Sequence, residues 1–172
     1  ETMKTYIYTN ISILGLLIIA KLSSSFSNMS PFIATIIVGS YFIKNKYHLM
    51  LMIFIAQLLS DLYYGVHLSN LFIYISYTFI VIFLYIQQKN MNFYISFINT
   101  IYANFIFFSI SNLGHYIAYN NNYSLGLLLE NYLHGLPFAF NLMVSTIIFI
   151  SVYHFLLAVS MRQLVKNILR RY

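Results

Sequence analysis

Cysteine and tryptophan are absent from these 172 residues, and only three side chains are acidic. Without cysteine there is no disulfide, no thiolate nucleophile and no cysteine-based metal site. Without tryptophan, aromatic belts at a bilayer surface must be built from the 17 tyrosines. Charged residues make up 7% of the chain, against about a quarter in a water-soluble domain. Such a surface cannot be dissolved in water. What is present instead is 60% hydrophobic residues, arranged in long runs, with no internal repeat or linker that would split residues 1–172 into more than one domain. The net charge of +6 is spread singly or in pairs between apolar runs, which argues against a nucleic-acid partner. The bias toward Ile, Asn, Tyr and Lys fits an AT-rich genome and carries no chemistry.

A membrane span needs about 20 apolar residues, with about 17 as a practical minimum. Six stretches qualify: Lys4–Leu22, Pro31–Tyr47, His48–Tyr64, Asn70–Gln87, Asn92–Leu113 and Pro137–Met161. Pro31 and Pro137 suit helix starts, and Gly65 suits a helix end. The second and third stretches are short and nearly continuous, which predicts a hairpin. Lys4 followed by the apolar Ile11–Ala20 has the form of a signal peptide, but is read here as a retained first helix.

Orientation follows from the bases. With the N-terminus inside, the inner segments hold Lys4, Lys44, Lys46, Lys89, Arg162, Lys166, Arg170 and Arg171. Only Lys21 falls outside, so eight of the nine bases lie on the inner face. This holds only for an even number of spans. The expectation is an all-α integral membrane protein: six transmembrane helices, both termini cytoplasmic. The Arg162–Arg171 cluster reads as an orientation signal against anionic lipid.

The outer side then has three loops, at Ser23–Ser30, Tyr63–Ser69 and Gly114–Leu136. On or near them lie Asp61, Glu130, His67, His115 and His134. In the third loop, Leu125, Leu128, Leu129, Tyr132 and Leu136 follow the i, i+3, i+4, i+7 spacing of one helical face. This predicts an amphipathic helix at Ser124–Leu136, with Glu130 and His134 paired at i, i+4 on the opposite face. It lies either flat on the membrane surface or over a pocket as a lid. Asp61 sits about one turn before the end of the third span. A carboxylate at that depth is a functional candidate, or a cap for the turn that follows.

Three histidines and two carboxylates match no compact metal motif such as His-Glu-x-x-His. His48 and His154, on different helices near the inner face, offer a pair of imidazoles for haem. No P-loop, glycine-rich nucleotide turn, Ser/His/Asp arrangement or pair of catalytic carboxylates occurs, so energised transport would need partner subunits.

Several short stretches, taken in order, resemble a family of small bacterial membrane proteins related to the substrate-binding S-components of energy-coupling factor (ECF) vitamin transporters. They are Asn28-Met29-Ser30-Pro31-Phe32-Ile33-Ala34, Ser60-Asp61-Leu62-Tyr63-Tyr64-Gly65-Val66-His67, Ser111-Asn112-Leu113-Gly114-His115-Tyr116, Tyr123-Ser124-Leu125-Gly126-Leu127, and Tyr132 through Leu136-Pro137-Phe138 to Asn141. Two family features are missing: an acid shortly after Asn141, and an Ala-x-x-x-Ala docking motif on the first helix, where only Ser12, Gly15 and Ala20 are small.

The resemblance implies a six-helix bundle in a bacterial inner membrane that captures a small molecule from outside and is not itself an enzyme. Its partners would be an ECF coupling subunit and its ATPases. Asn28, Asp61, His67, His115, Tyr123, Glu130, His134 and Asn141 would bind the substrate. One branch of S-components binds cobalamin; here His67 or His134 would be the cobalt ligand. The alternative is a small structural or haem-carrying subunit of a respiratory or photosynthetic complex. A membrane enzyme acting on lipid is a third class, which no catalytic spacing supports.

Overall fold

The structure, a computed structural model, describes residues 2–22, 29–87, 92–120 and 122–169, with side chains described for 7–22, 29–87, 92–120 and 122–159. Six helices follow one another: α1 (Thr2–Leu22), α2 (Phe32–Phe42), α3 (Lys46–Tyr64), α4 (Leu68–Gln87), α5 (Phe93–Tyr119) and α6 (Leu125–Leu169). α4, α5 and the Leu125–Val159 part of α6 are long and apolar enough to cross a membrane. Large apolar side chains such as Ile11, Leu58, Phe79, Phe105, Phe140 and Phe155 point outward, while Gln57, Asp61, Asn99 and Asn104 are buried. The core is apolar as well, so the bundle is apolar inside and out, as suits helices set in lipid.

The expected punctuation appears at two of three places. Ser30 accepts from the Phe32 amide at 3.3 Å and donates to the Ala20 carbonyl at 2.9 Å, so the start of α2 at Pro31 is tied to the end of α1. Gly65 ends α3 with φ 107°, its amide bonded to the Asp61 carbonyl at 2.8 Å. Asn45 and Asn92 cap α3 and α5, accepting from the Tyr47 and Ile95 amides.

Three expectations are corrected. First, α2 covers 11 residues rather than Pro31–Tyr47, because Ile43 turns extended and Asn45 starts a new helix. Eleven residues rise about 16 Å, roughly half the hydrocarbon thickness. Second, the loop expected at Gly114–Leu136 is, among the described residues, helical except at 120 and 122–124. Gly114 lies inside α5 at a close approach to α4, where an added Cβ would overlap Phe72. The short connection is held by Tyr116, whose hydroxyl accepts from the Ser124 amide and donates to the Ser124 carbonyl. Third, Pro137 does not begin a helix. It lies inside α6, whose first turns are the helix expected at Ser124–Leu136. A proline's fixed φ is helical, and proline is commoner inside membrane helices than in soluble ones.

The face that this part of α6 buries also differs. Leu125, Leu129, Leu133 and Leu136 are exposed, while Asn131, Tyr132, Gly135 and Ala139 turn toward the bundle. Lipid is as apolar as leucine, so helices in a membrane meet through small and polar residues instead.

α2 packs against all five other helices, and α1, α3, α4, α5 and α6 form an arc around it in that spatial order. Its Phe32, Ile33, Ile36 and Ile37 meet Leu17, Leu49, Ile53, Ile80 and Val81 in the core. Contacts divide the bundle into two ends. At one, Tyr85 donates to the Ile43 carbonyl, Asn99 to the Tyr41 hydroxyl, and His154 bonds Ser96. At the other, Tyr64 donates to the Leu22 carbonyl and Ser145 to the Ser30 carbonyl. Successive helices therefore run in opposite directions.

α5 faces the bundle with Ser96, Asn99, Thr100 and Asn104, all buried. Asn104 Nδ2 bonds the Thr100 carbonyl at 2.9 Å, but its Oδ1 has no partner among the described residues. A buried orphan acceptor costs about 1–3 kcal/mol. Asn104→Leu, close in volume and without the carbonyl, is expected to raise stability by about 1 kcal/mol, read as a higher midpoint in thermal unfolding followed by circular dichroism.

Candidate functional site

The last turn of α1 brings Lys21 into the bundle, where a cation also complements the helix's C-terminal carbonyls. Its Nζ donates to the Tyr77 hydroxyl at 3.1 Å and lies 5.0 Å from the centre of the Phe32 ring. Tyr77, 2% exposed, is stacked on Phe107 with ring centres 5.5 Å apart and planes at 21°. Cation–π attraction is strongest where water is excluded. Phe32, Tyr77 and Phe107 thus make an aromatic seat for the ammonium, supplied by α2, α4 and α5.

Asp61, in the last turn of α3, is buried. Its two oxygens are each held by a neutral donor: Gln57 Nε2 at 2.5 Å and the Tyr74 hydroxyl at 2.8 Å. Its charge acts on Lys21, Tyr74 and Tyr77. A buried carboxylate persists only with hydrogen bonds and an opposite charge. Gln57 and Tyr74 supply the first, Lys21 the second. Among the described residues the Asp61 side chain caps no turn; Gly65 bonds its main-chain carbonyl.

Beside Lys21 is a cavity of about 310 Å³, lined by Ser69 and Ile73 of α4, Phe107, Phe108, Ser111, Asn112 and His115 of α5, and Gly135, Phe138, Ala139 and Leu142 of α6. A smaller cavity of about 60 Å³ shares Lys21, Phe107 and Leu142, and reaches Ser30, Phe32, Ile33 and Tyr77 at the start of α2. The smaller cavity thus reaches the first turn of α2, while the larger one is walled by α4, α5 and α6 beside Lys21.

One wall is an α5–α6 latch. Asn131 Nδ2 donates to the Asn112 carbonyl at 2.8 Å, and Asn131 Oδ1 lies 2.8 Å from His115 Nδ1. Asn131 Oδ1 can only accept, so His115 Nδ1 carries the proton in this contact. In the neutral ring Nε2 is then an acceptor. Tyr132 donates to the Ser109 carbonyl at 2.6 Å and packs edge-on to Phe108 at 5.5 Å. Gly135 lets α6 close on α5, since a Cβ there would overlap Asn112 Oδ1.

Of the residues expected from sequence, His115 lines the cavity. Asp61 does not line it and is bonded to Gln57 and Tyr74 instead. His67, Tyr123, Glu130 and His134 are exposed, and Asn141 is half-buried; none of the five lines either cavity. Tyr123 packs on Tyr116 with ring centres 5.7 Å apart. Asn28 lies outside the described residues. Lys21, Ser69, Ser111 and Asn112 enter as residues that sequence reasoning passes over. Their signals are Lys21's place as the one outer base in the orientation expected from the sequence, and the Ser111–His115 stretch.

His154 is held by Ser96 Oγ at 2.9 Å and by edge contacts with the Phe93 and Tyr153 rings. Among the described residues, no group of three or more His, Asp or Glu side chains is placed to hold a metal ion.

The chain belongs to DUF6580, a family of unknown function whose model matches residues 1–167. No curated protein and no solved structure matches it.

Proposed function

We propose that this DUF6580 member is the substrate-binding membrane subunit of an uptake system, comparable to an ECF S-component, and that it receives a small molecule in the Lys21 cavity from outside the cell. The observation that carries the reading is the cavity itself. It is about 310 Å³, apolar and aromatic along its length, with a few polar groups and one cation, the composition of a small-molecule site. The chain binds rather than transforms its ligand. A coupling subunit with ATPases supplies the energy that the chain has no nucleotide motif to use.

In this reading all six helices belong to the membrane domain, and the short α2 is carried at depth inside the arc of the others. Both termini are cytoplasmic. Lys44 and Lys46, between α2 and α3, then lie at the end away from the cavity, which puts the cavity mouth outside. A chain without cysteine makes this directly testable in intact cells. Asn122, exposed in the α5–α6 connection, is the outer reporter. Asn122→Cys is expected to react with a membrane-impermeant maleimide, and Lys44→Cys only after permeabilisation. The opposite pattern refutes the orientation.

The cavity's size favours a ligand much smaller than a corrinoid, and the exposed His67 and His134 favour neither as a cobalt ligand. Binding is tested by thermal unfolding of the purified chain against water-soluble vitamins and small metabolic acids, amines and sugars. At least one is expected to raise the midpoint of the wild type and not that of Ala139→Trp, whose indole fills the cavity. The reading fails if no compound separates the two proteins.

A further inference from the structure

We infer that the cavity takes an uncharged molecule: an aromatic or short apolar body carrying a group, such as a carboxamide, that both donates and accepts hydrogen bonds. This rests on the reading of the cavity as a ligand site and names the class of ligand.

Charge decides first. Lys21 is the only charged side chain among the residues lining either cavity. Its Nζ donates to the Tyr77 hydroxyl at 3.1 Å and lies over the Phe32 and Tyr77 rings. Asp61 acts on it by its charge, and Lys21 has a further interaction besides these. Its positive charge is thus matched within the protein, and the lining offers an incoming ion no uncompensated opposite charge. An anion would have to compete with Asp61 for Lys21. An ammonium would meet Lys21 as a like charge. Either ion would also give up its hydration on entering an aromatic cavity, a cost that a neutral molecule does not carry.

The polar groups of α4 and α5 then offer both hydrogen-bonding roles. Asn112 Nδ2 uses one N–H on the Phe108 carbonyl at 2.9 Å and keeps the other. Ser111 Oγ gives its proton to the Phe107 carbonyl at 2.6 Å and can still accept. His115 Nδ1 is engaged with Asn131, which leaves Nε2 as an acceptor. The hydroxyl of Ser69, in the first turn of α4, can do either. A group that suits this mixed set has a donor and an acceptor side by side and no formal charge, as a carboxamide, a lactam or a ureide has. Phe107, Phe108 and Phe138, with Ile73, Ala139 and Leu142, supply apolar walls for a ring.

Four probes of nearly one shape separate these terms: 3-phenylpropanamide, 3-phenylpropionate, 3-phenylpropylamine and methyl 3-phenylpropanoate. With the full-length chain in nanodiscs at neutral pH, the amide is expected to bind about ten- to a hundredfold more tightly than either ion. It is also expected to bind more tightly than the ester, which is neutral but has no donor. The charge-free pair K21M/D61N is expected to keep the preference for amide over acid. D61N alone, which leaves Lys21 unmatched, is expected to move that preference toward the acid. A wild type that binds either ion or the ester as tightly as the amide overturns the inference. So does a folded D61N that ranks amide and acid as the wild type does, and so does loss of the amide preference in K21M/D61N, which decides the matter if D61N does not fold. Failure of all four probes against the wild type also overturns it. The underlying reading falls separately, if no compound of any class distinguishes wild type from A139W.

Discussion

Lys21→Met alone is expected to destabilise the protein by about 3–5 kcal/mol, and Asp61→Asn in the same chain to return much of that loss. Removing the ammonium leaves Asp61 buried with only the neutral donors Gln57 and Tyr74, and an uncompensated charge in a low-dielectric interior is the costly state. Neutralising Asp61 removes that charge while keeping an acceptor for the Tyr74 hydroxyl. The measurement is a double-mutant cycle on unfolding in mixed micelles. Lys21 and Asp61 should couple by well over the few tenths of a kcal/mol found for independent sites. Additive losses would mean that the two charges do not sense each other and that the site is not electrostatically organised as described.

Gly114→Val is the second large effect. Gly114 is buried where α4 and α5 cross, and a Cβ there would fall on the ring carbons of Phe72. The neighbour is the base of an aromatic side chain, not the end of a flexible one, so relief requires the helices to part. Overpacking of this kind costs about 1–3 kcal/mol, occasionally more. Here it would also open the wall that carries Ser69, Ile73, Ser111 and His115. The expected result is a lower unfolding midpoint together with loss of ligand-dependent stabilisation. Gly126→Ala is the control: a Cβ there meets nothing within 4 Å, and alanine for glycine in a helix gains about 0.5–1 kcal/mol. If both substitutions behave alike, close approach at Gly114 is not what holds this wall.

Helix ends written in local chemistry are legible in the sequence. Pro31 with Ser30 before it, and Gly65 after Tyr64, signal start and stop through backbone geometry that depends on a few neighbouring residues. The extent of α2 is not legible, because the apolar run continues past Phe42, and only the tertiary structure shows a short helix enclosed by five others. Pro137 misleads for a related reason: its ring forbids one amide bond but not a helical φ, and packing against α5 decides that the helix continues. A lid reading of Ser124–Leu136 puts the polar face with Glu130 and His134 toward the pocket, but both are exposed, and Asn131 and Gly135 make the contact with α5.

The site is partly visible in the same way. Asp61 stands out as a carboxylate at depth, and His115 as a histidine in the polar stretch Ser111–Tyr116. In the orientation expected from the sequence, Lys21 is the single exception to an inward distribution of bases. A lone cation on the wrong side of that rule is costly unless the fold uses it, and here α2, α4 and α5 build an aromatic seat for it. What sequence spacing cannot supply is the pairing across helices, since Lys21 and Tyr77 are 56 residues apart.

Native mass spectrometry of the freshly purified chain, with activation sufficient to strip detergent and lipid, tests the cavity most directly. The account predicts that the wild type releases a single small organic molecule per chain and that Ala139→Trp, prepared in parallel, releases none. A wild type that sheds only lipid and detergent would contradict it, and so would the same molecule leaving both proteins in equal amount.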